Sequence, residues 1–504
     1  MHAALGNLEV IHTICSYIQL GSLPAFASTC RAFERLALDI LWRDLQSPEP
    51  LIKCLPSDLF GTDRGRMVLQ KPLDGMMWDT LCKYTSRVHS IIATQSRRFE
   101  AIVEPLGSLM LSFPSTPASL FPNLRKLSWS ANGTRGATEF LRMALVPSLL
   151  VLDVQISSTS SVFLSVLSSV GALCPHLRDM ALRIRPATDE FFRKISPFVT
   201  PPISQLHHLH SLSVWDPGNQ GIEHIMQLRA LRSLCLDLRT FSASERKSRL
   251  ELPGFHDLKI LGLSTDTFER ALNFLSSLRV IESKEIKIDY GVAHSSSSGS
   301  TTLSQFFTIL RERCDTDRLE DFTLLGNSGK IRAEPGVFMP LRACRNLTQL
   351  SVERGCDISI SDEELCQLVR DWPKLDVLKI SCYNPVGNTT MPTLHGLIEL
   401  LRLCPILTSL ALVIDATKLD GIDLKTPGGG ICNKYLKHLV FGNSPVETPL
   451  KVALILSGIF PNLEQVNLDC ADAMQTKWTN IKQWALVNSF LDGFGIVRKR
   501  CTKV

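Results

Sequence analysis

Charge of one sign is what this sequence most plainly lacks. Across 504 residues, 54 Lys and Arg stand against 49 Asp and Glu, a formal net charge of +5. That balance leaves no footprint of nucleic-acid or anionic-membrane binding, which needs basic residues gathered on one face. No apolar run is long enough to cross a bilayer. The opening MHAALGNLEVIHTICSYI has no basic start, and Glu9 and His12 interrupt it, so it does not read as a secretory signal. Fifteen cysteines are scattered with no C-x-x-C pair, which points away from a disulfide framework. The expected setting is therefore intracellular, cytoplasmic or nuclear. Cys174 and Cys404 sit among apolar residues and read as small core side chains. Without secretion the sequons at Asn132, Asn346 and Asn388 carry no meaning.

Motifs of catalysis are missing too. There is no G-x-S-x-G and no H-E-x-x-H. Gly326-Asn327-Ser328-Gly329-Lys330 imitates the tail of a phosphate loop, but Leu324 and Ile331 stand where Gly and Ser or Thr are required. Gly493-Phe494-Gly495 lacks a third glycine, with Arg498 in its place, and Gly428-Gly429-Gly430 reads as a turn. His207, His208 and His210 cluster, yet neighbours on a strand face opposite ways and no Cys or carboxylate completes a tetrahedral set nearby. The expectation is a non-enzyme without cofactor or metal.

What the sequence has instead is rhythm. From about residue 120 an L-x-x-L-x-L pattern returns, often behind Pro or Cys: FPNLRKLSW, VPSLLVLDV, CPHLRDMAL, LHHLHSLSV, LRALRSLCL, FHDLKILGL, LSSLRVIES, TDRLEDFTL, CRNLTQLSV, WPKLDVLKI, CPILTSLAL, NKYLKHLVF and FPNLEQVNL. The mean spacing of about 28 residues is that of leucine-rich repeats. The last two apolar positions stand two apart and so share one face of a strand. One such unit cannot bury its apolar edge alone, but stacked units bury it against each other as a parallel sheet. Helical stretches lie between. Ser361-Asp362-Glu363-Glu364 is a capping box opening LCQLVRDW, closed by Trp372-Pro373. HGLIELLRLCP and SVFLSVLSSVGALCP repeat the plan. LSSLRVIES is the weakest member, and HSSSSGSTT after it reads as an inserted loop.

The first 45 residues follow a different pattern. Val10, Ile11, Ile14 and Ile18 form a helical stripe, Ser22 is placed to cap a second helix opened by Leu23, Pro24 and Phe26, and Cys30-Arg31-Ala32-Phe33 and Leu41-Trp42 follow. This stretch resembles an F-box, with its cysteine–basic–x–aromatic signature and closing Leu-Trp. Gly6-Asn7 stands where that family usually has Leu-Pro. The resemblance implies docking on the Skp adaptor of a cullin–RING ubiquitin ligase, with Ile11, Ile14, Leu23, Phe26, Cys30, Phe33, Leu41 and Trp42 packing in the bundle or on the adaptor. So small a bundle cannot bury all its apolar surface, and an exposed remainder marks a partner site. A plain helical cap on the first repeat is the alternative.

Strand alternation predicts which residues line the concave face and meet a target protein: Lys126, Ser128 and Ser130; Val151, Asp153 and Gln155; Asp179, Ala181 and Arg183; Ser211, Ser213 and Trp215; Ser233 and Asp237; Asp321 and Thr323; Gln349 and Glu353; Val377 and Lys379; Gln465, Asn467 and Asp469. Their mixed charge disfavours a phosphate-reading pocket, which would gather arginines. Trp215 is either an exposed anchor or folds over the turn at Pro217.

The sequence thus predicts an α/β chain: a leucine-rich-repeat solenoid, parallel sheet on the concave face and helices outside, preceded by a small all-α three-helix F-box. The expected divisions are 1–45 for docking, 46–118 as a connector with SPEPLIKCLPSDLFG as loop and MMWDTLCKYTSRVHSI as helix, 119–475 for the repeats, and 476–504 for a capping helix from about Lys477 to Leu491 and the basic tail RKRCTKV. The F-box joined to such repeats resembles fungal F-box proteins and implies a substrate receptor of the ligase. The other reading is a protein-binding scaffold with no ligase.

Overall fold

In the computed structural model the described residues are 7–63, 66–93, 105–107, 109, 119–131, 134–157, 160–184, 189–239, 252–291, 299–328, 331–333, 336–353, 356–380, 390–442, 444–467 and 480–501. Asp469, Asn132 and Asn388 lie outside them, as do Gly329 and Lys330. The chain divides into two compact units, Met1–Arg232 with Thr240–Ser242, and Ser233–Arg239 with Ala243–Val504.

The first unit opens with helices α1 (Leu8–Tyr17), α2 (Leu23–Ala27) and α3 (Arg31–Arg43). Strand β1 (Asp44–Leu45) follows directly. Next come an antiparallel hairpin of β2 (Phe60–Asp63) and β3 (Arg66–Leu69) and the helix Gly75–Thr85. Strands β4 (Ser90–Ala93), β5 (Lys126–Ala131), β6 (Val151–Ile156), β7 (Asp179–Ile184) and β8 (Ser211–Trp215) then continue from β1 as one parallel ladder. In register, Ile91, Leu127, Leu152, Met180 and Leu212 form a buried rank.

The second unit repeats the plan. Its parallel ladder runs through β9 (Ser233–Asp237), β10 (Ile260–Thr265), β11 (Glu285–Gly291), β12 (Asp321–Ser328), β14 (Gln349–Glu353), β16 (Val377–Ile380), β17 (Ser409–Leu412) and β18 (His438–Val440). Short strands β13 (Ile331–Ala333) and β15 (Cys356–Ile358) pair separately. Leu234, Leu261, Ile286, Phe322, Leu350, Leu378, Leu410 and Leu439 are its buried rank. Each such side chain contributes about 1.5–3 kcal/mol by leaving water. The fold is a leucine-rich-repeat solenoid.

A repeated corner leads the chain into its strands. The amide of the first Leu donates to the carbonyl three residues back: Leu149 to Val146 at 3.0 Å, Leu177 to Cys174 at 3.1 Å, Leu347 to Cys344 at 3.1 Å and Leu375 to Trp372 at 3.1 Å. The corner side chain is buried, which explains the preference for Cys, Trp, Val and Phe there. Burial pushes the Cys174 and Cys404 thiols up to about 12, so they are core residues rather than nucleophiles. The capping box is present: Glu364 N–H donates to Ser361 Oγ at 3.2 Å and Ser361 N–H to Glu364 Oε2 at 2.8 Å.

Several expectations are corrected. The ladder begins before residue 119, because Val88, Ile91 and Ala93 are buried at the spacing of a repeat. SPEPLIKCLPSDLFG is not all loop: Glu49–Lys53 is helical and Phe60 begins a hairpin. LSSLRVIES is not the strand of its repeat. That strand is β11, with Ile286, Ile288 and Tyr290 inward. Residues 299–302 of the inserted stretch open the helix Gly299–Arg313. The last helix runs Ile481–Cys501 and takes in the glycine pair and Arg498–Lys499–Arg500, cations that suit a helix C-terminus. The shift at β11 leaves Ser283 in the buried leading position that Leu177 holds at β7. Its hydroxyl finds no hydrogen-bond partner among the described residues. Ser283→Ala is expected to stabilise the second unit by about 1 kcal/mol, because it removes a dry unpaired hydroxyl. A urea titration checks this, and a lowered midpoint would show that the hydroxyl is satisfied in solution.

Candidate protein-binding surfaces

The outward face of each ladder is the first surface. In the first unit Lys126 and Arg183 are exposed, and Asp153 and Asp179 are half-buried. Arg183 Nη2 donates to Asp153 Oδ2 at 3.1 Å, as does Ser128 Oγ at 3.1 Å. Trp215 is not on this face. It is 2% exposed, because β8 ends there and the alternation breaks, with Val214, Trp215 and Asp216 buried in succession. It is a core residue.

In the second unit Asp237, Asp321, Gln349, Glu353 and Lys379 are half-buried on the outward face. Arg239 grips Asp237 through two hydrogen bonds of 2.8 and 2.5 Å. Lys287 lies 2.5 Å from Glu285, and Lys379 lies 3.1 Å from Glu353. Asp321 accepts from Thr348 Oγ1 at 2.9 Å. Burial, aided by the nearby Glu285 and Glu320 charges, raises its carboxyl above the usual range. Lys287, Glu285 and Asp289 were not singled out in the sequence, because LSSLRVIES hid their strand. The spacing Ile286-x-Ile288-x-Tyr290 is the signal that places them.

The N-terminal helices form the second surface. Ile11, Cys15, Leu23 and Ala37 make a small core, with Phe26, Phe33 and Leu41 packed against it. Phe26 and Phe33 stack at 4.6 Å. Cys30 is half-buried at the α3 N-cap, and Ser22 holds its cap position without a side-chain bond. Trp42 is buried and its ring lies 4.6 Å from that of Tyr84 on the helix Gly75–Thr85. Arg87 pairs with Asp39 at 2.8 Å, fixing α3 to the segment that follows it. Ile11, Leu23 and Trp42 are thus interior. Outward on α1 stand Val10, Ile14 (38% exposed) and Tyr17 (87%), three and four residues apart on one helical face.

No family model matches this sequence, and no curated protein does. Among solved structures, an internalin of Listeria monocytogenes is similar at 13% identity and a TM-score of 0.35, over 82% of this chain and 91% of that one. A leucine-rich-repeat protein of Leptospira interrogans is similar at 13% identity and a TM-score of 0.34, over 79% of this chain and 81% of that one.

The remaining motifs have structural places. Asn327 and Ser328 belong to β12 rather than to a loop before a helix. His207, His208 and His210 are exposed, with His210 Nδ1 at 2.6 Å from the His208 carbonyl oxygen. Among the described residues no group of three His, Cys, Asp or Glu is placed to hold a metal ion, and no helix is long and apolar enough to cross a membrane.

Proposed function

We propose that this chain is a non-enzymatic protein-binding scaffold that serves as the substrate receptor of a Skp–cullin–F-box ubiquitin ligase. Its N-terminal helices dock on the Skp adaptor. The outward strand faces hold the target, through Lys126, Asp153, Asp179 and Arg183 in the first unit and Asp237, Asp321, Gln349, Glu353 and Lys379 in the second. The ubiquitin chemistry is supplied by other subunits, and the site of action is cytoplasmic or nuclear. The observation that carries the docking half is the stripe Val10, Ile14 and Tyr17, left outward although Ile11, Cys15, Leu23 and Ala37 already close the core beneath it.

The test is a pull-down with purified Skp adaptor. Val10→Asp with Ile14→Asp is expected to lower capture at least about tenfold and to leave the melting temperature nearly unchanged, since both side chains already face water. Trp42→Ala is the wrong probe, because that ring is interior. Undiminished capture by the double variant, or none by the wild type, would favour a scaffold with no ligase.

A further inference from the structure

A rank of cations runs along the edge of the first unit where the chain enters its strands. Each repeat makes that entry through two residues set between inward apolar ones. The amide of the first of the two donates to its counterpart in the repeat before: Arg125 to the His89 carbonyl at 2.8 Å, Leu150 to Arg125 at 2.8 Å, Arg178 to Leu150 at 2.8 Å, His210 to Arg178 at 2.7 Å and Arg232 to His210 at 2.8 Å. These six residues therefore stand in line, about 4.8 Å apart. The second residues form a parallel rank of Ser90, Lys126, Val151, Asp179 and Ser211. The first rank holds no carboxylate and the second holds one.

Some of these groups are already engaged. Arg43, one strand earlier, has Asp44 within 3.9 Å, His210 Nδ1 lies 2.6 Å from the His208 carbonyl oxygen, and Arg232 reaches the Arg229 and Leu231 carbonyls at 3.4 Å. Arg125, Lys126 and Arg178 are different. All three are exposed, and none makes a side-chain hydrogen bond or ion pair among the described residues. Their charge acts on the next residue in line: burial, then the Arg125 and Arg43 charges, lowers the His89 pKa against the smaller pull of Asp44 and Asp39. In the second unit the same rank answers itself, with Lys284 2.5 Å from Glu320 on the next strand. Leu150 and Val151 make a half-buried apolar step, with Arg125 and Lys126 on one side and Arg178 on the other.

We infer that this edge holds an acidic segment of the target protein, with carboxylates set against Arg125, Lys126 and Arg178 and an apolar side chain between them on Leu150 and Val151. The inference rests on the reading of the first unit's ladder as a target-holding surface and adds the sign and character of what it holds. Guanidinium groups take carboxylates by paired hydrogen bonds, and a row of one sign steers the encounter with its opposite. A nucleic-acid strand is the poorer complement, because it carries a charge at every nucleotide and would pass over the apolar step and over Asp179.

The experiment uses the full chain and three fluorescein-labelled probes: a short peptide of glutamate, leucine and serine, the same peptide with lysine in place of every glutamate, and a uridine oligonucleotide. Anisotropy titrations at low salt compare the wild type, Arg125→Glu with Arg178→Glu, and a control of equal charge change on exposed helix positions of the second unit, Lys451→Glu with Lys482→Glu. The glutamate peptide is expected to bind the wild type and the control alike and to lose at least about tenfold in affinity for the arginine double variant. It is expected to bind more weakly when serine replaces its leucine. The lysine peptide and the oligonucleotide are expected not to bind. Circular dichroism melting confirms that the variants fold, and Arg125→Ala with Arg178→Ala carries the test should the glutamate pair fail to. Equal affinity for wild type and arginine variants, or an equal loss in the control, would overturn the inference. Tighter binding of the oligonucleotide than of the glutamate peptide, lost in the arginine variants, would overturn it in favour of nucleic acid. Binding of the lysine peptide alone would overturn it while leaving the ladder a protein-binding surface. If no probe binds, the inference falls together with the reading beneath it.

Discussion

Trp215→Ala is expected to destabilise the first unit by about 3–5 kcal/mol, the cost of an indole-sized cavity in a packed interior. The alternation Ser211, Ser213, Trp215 would set this ring on the polar face, where its loss would weaken binding and spare the fold. The structure gives the opposite result. After Val214 the chain leaves the strand, Asp216 Oδ1 accepts from Gly218 N–H at 2.9 Å, and Gly218 takes a φ of 78° as the helix Gly218–Met226 begins. That turn carries the indole inward, among the largest fully buried side chains of the chain. Urea denaturation followed by intrinsic fluorescence and circular dichroism checks the figure. An unchanged midpoint would return Trp215 to the surface.

Asn433→Leu is expected to cost the second unit about 3–5 kcal/mol, since the buried Leu407 carbonyl and Leu436 N–H would be left dry and unpaired at about 1–3 kcal/mol each and the part-buried Tyr435 N–H would lose its partner as well. Asn433 occupies the corner that Cys404, Trp372 and Cys174 fill in other repeats, so the pattern alone predicts that leucine fits. Its surroundings differ. The side chain is 2% exposed, donates to the Leu407 carbonyl at 2.8 Å, and accepts from Tyr435 N–H at 2.7 Å and Leu436 N–H at 2.9 Å. Its carboxamide thus does what the corner carbonyl does elsewhere and also bonds the preceding repeat. Leu228→Met, at an apolar corner, should cost less than about 1.5 kcal/mol. Chemical denaturation of the two variants side by side decides the matter, and equal small losses would show that the Asn433 bonds are not maintained in water.

Much of the fold was legible because a period of two and a period of about 28 residues coincide. CPHLRDMAL predicts Met180 and Leu182 inward with Asp179 and Arg183 outward, and WPKLDVLKI predicts Leu378 and Ile380 inward with Lys379 outward. Both arrangements are found. What was missed has physical causes. Val88-x-x-Ile91-x-Ala93 fills the leading, middle and last places with small or branched residues, so β4 lacks the leucine signature although its spacing is intact. Ser283 in a leading place shifted attention to the leucines upstream and hid β11 with Lys287 and Asp289. Trp215 obeys the period in sequence but lies at the last residue of its strand, where the period stops applying. At the N-terminus the apolar stripe was visible, but its division between core and surface was not. That division depends on which side α2 and α3 cover, and Ile11 and Ile14, only three residues apart, fall on opposite sides of the boundary.

The docking reading is tested most directly by amide hydrogen exchange of the full chain with and without purified Skp adaptor. The account predicts added protection confined to residues 8–20, with the helix Gly75–Thr85 and the ladder strands unchanged. Protection on the strand faces with none on α1, or no change anywhere at saturating adaptor, would contradict it.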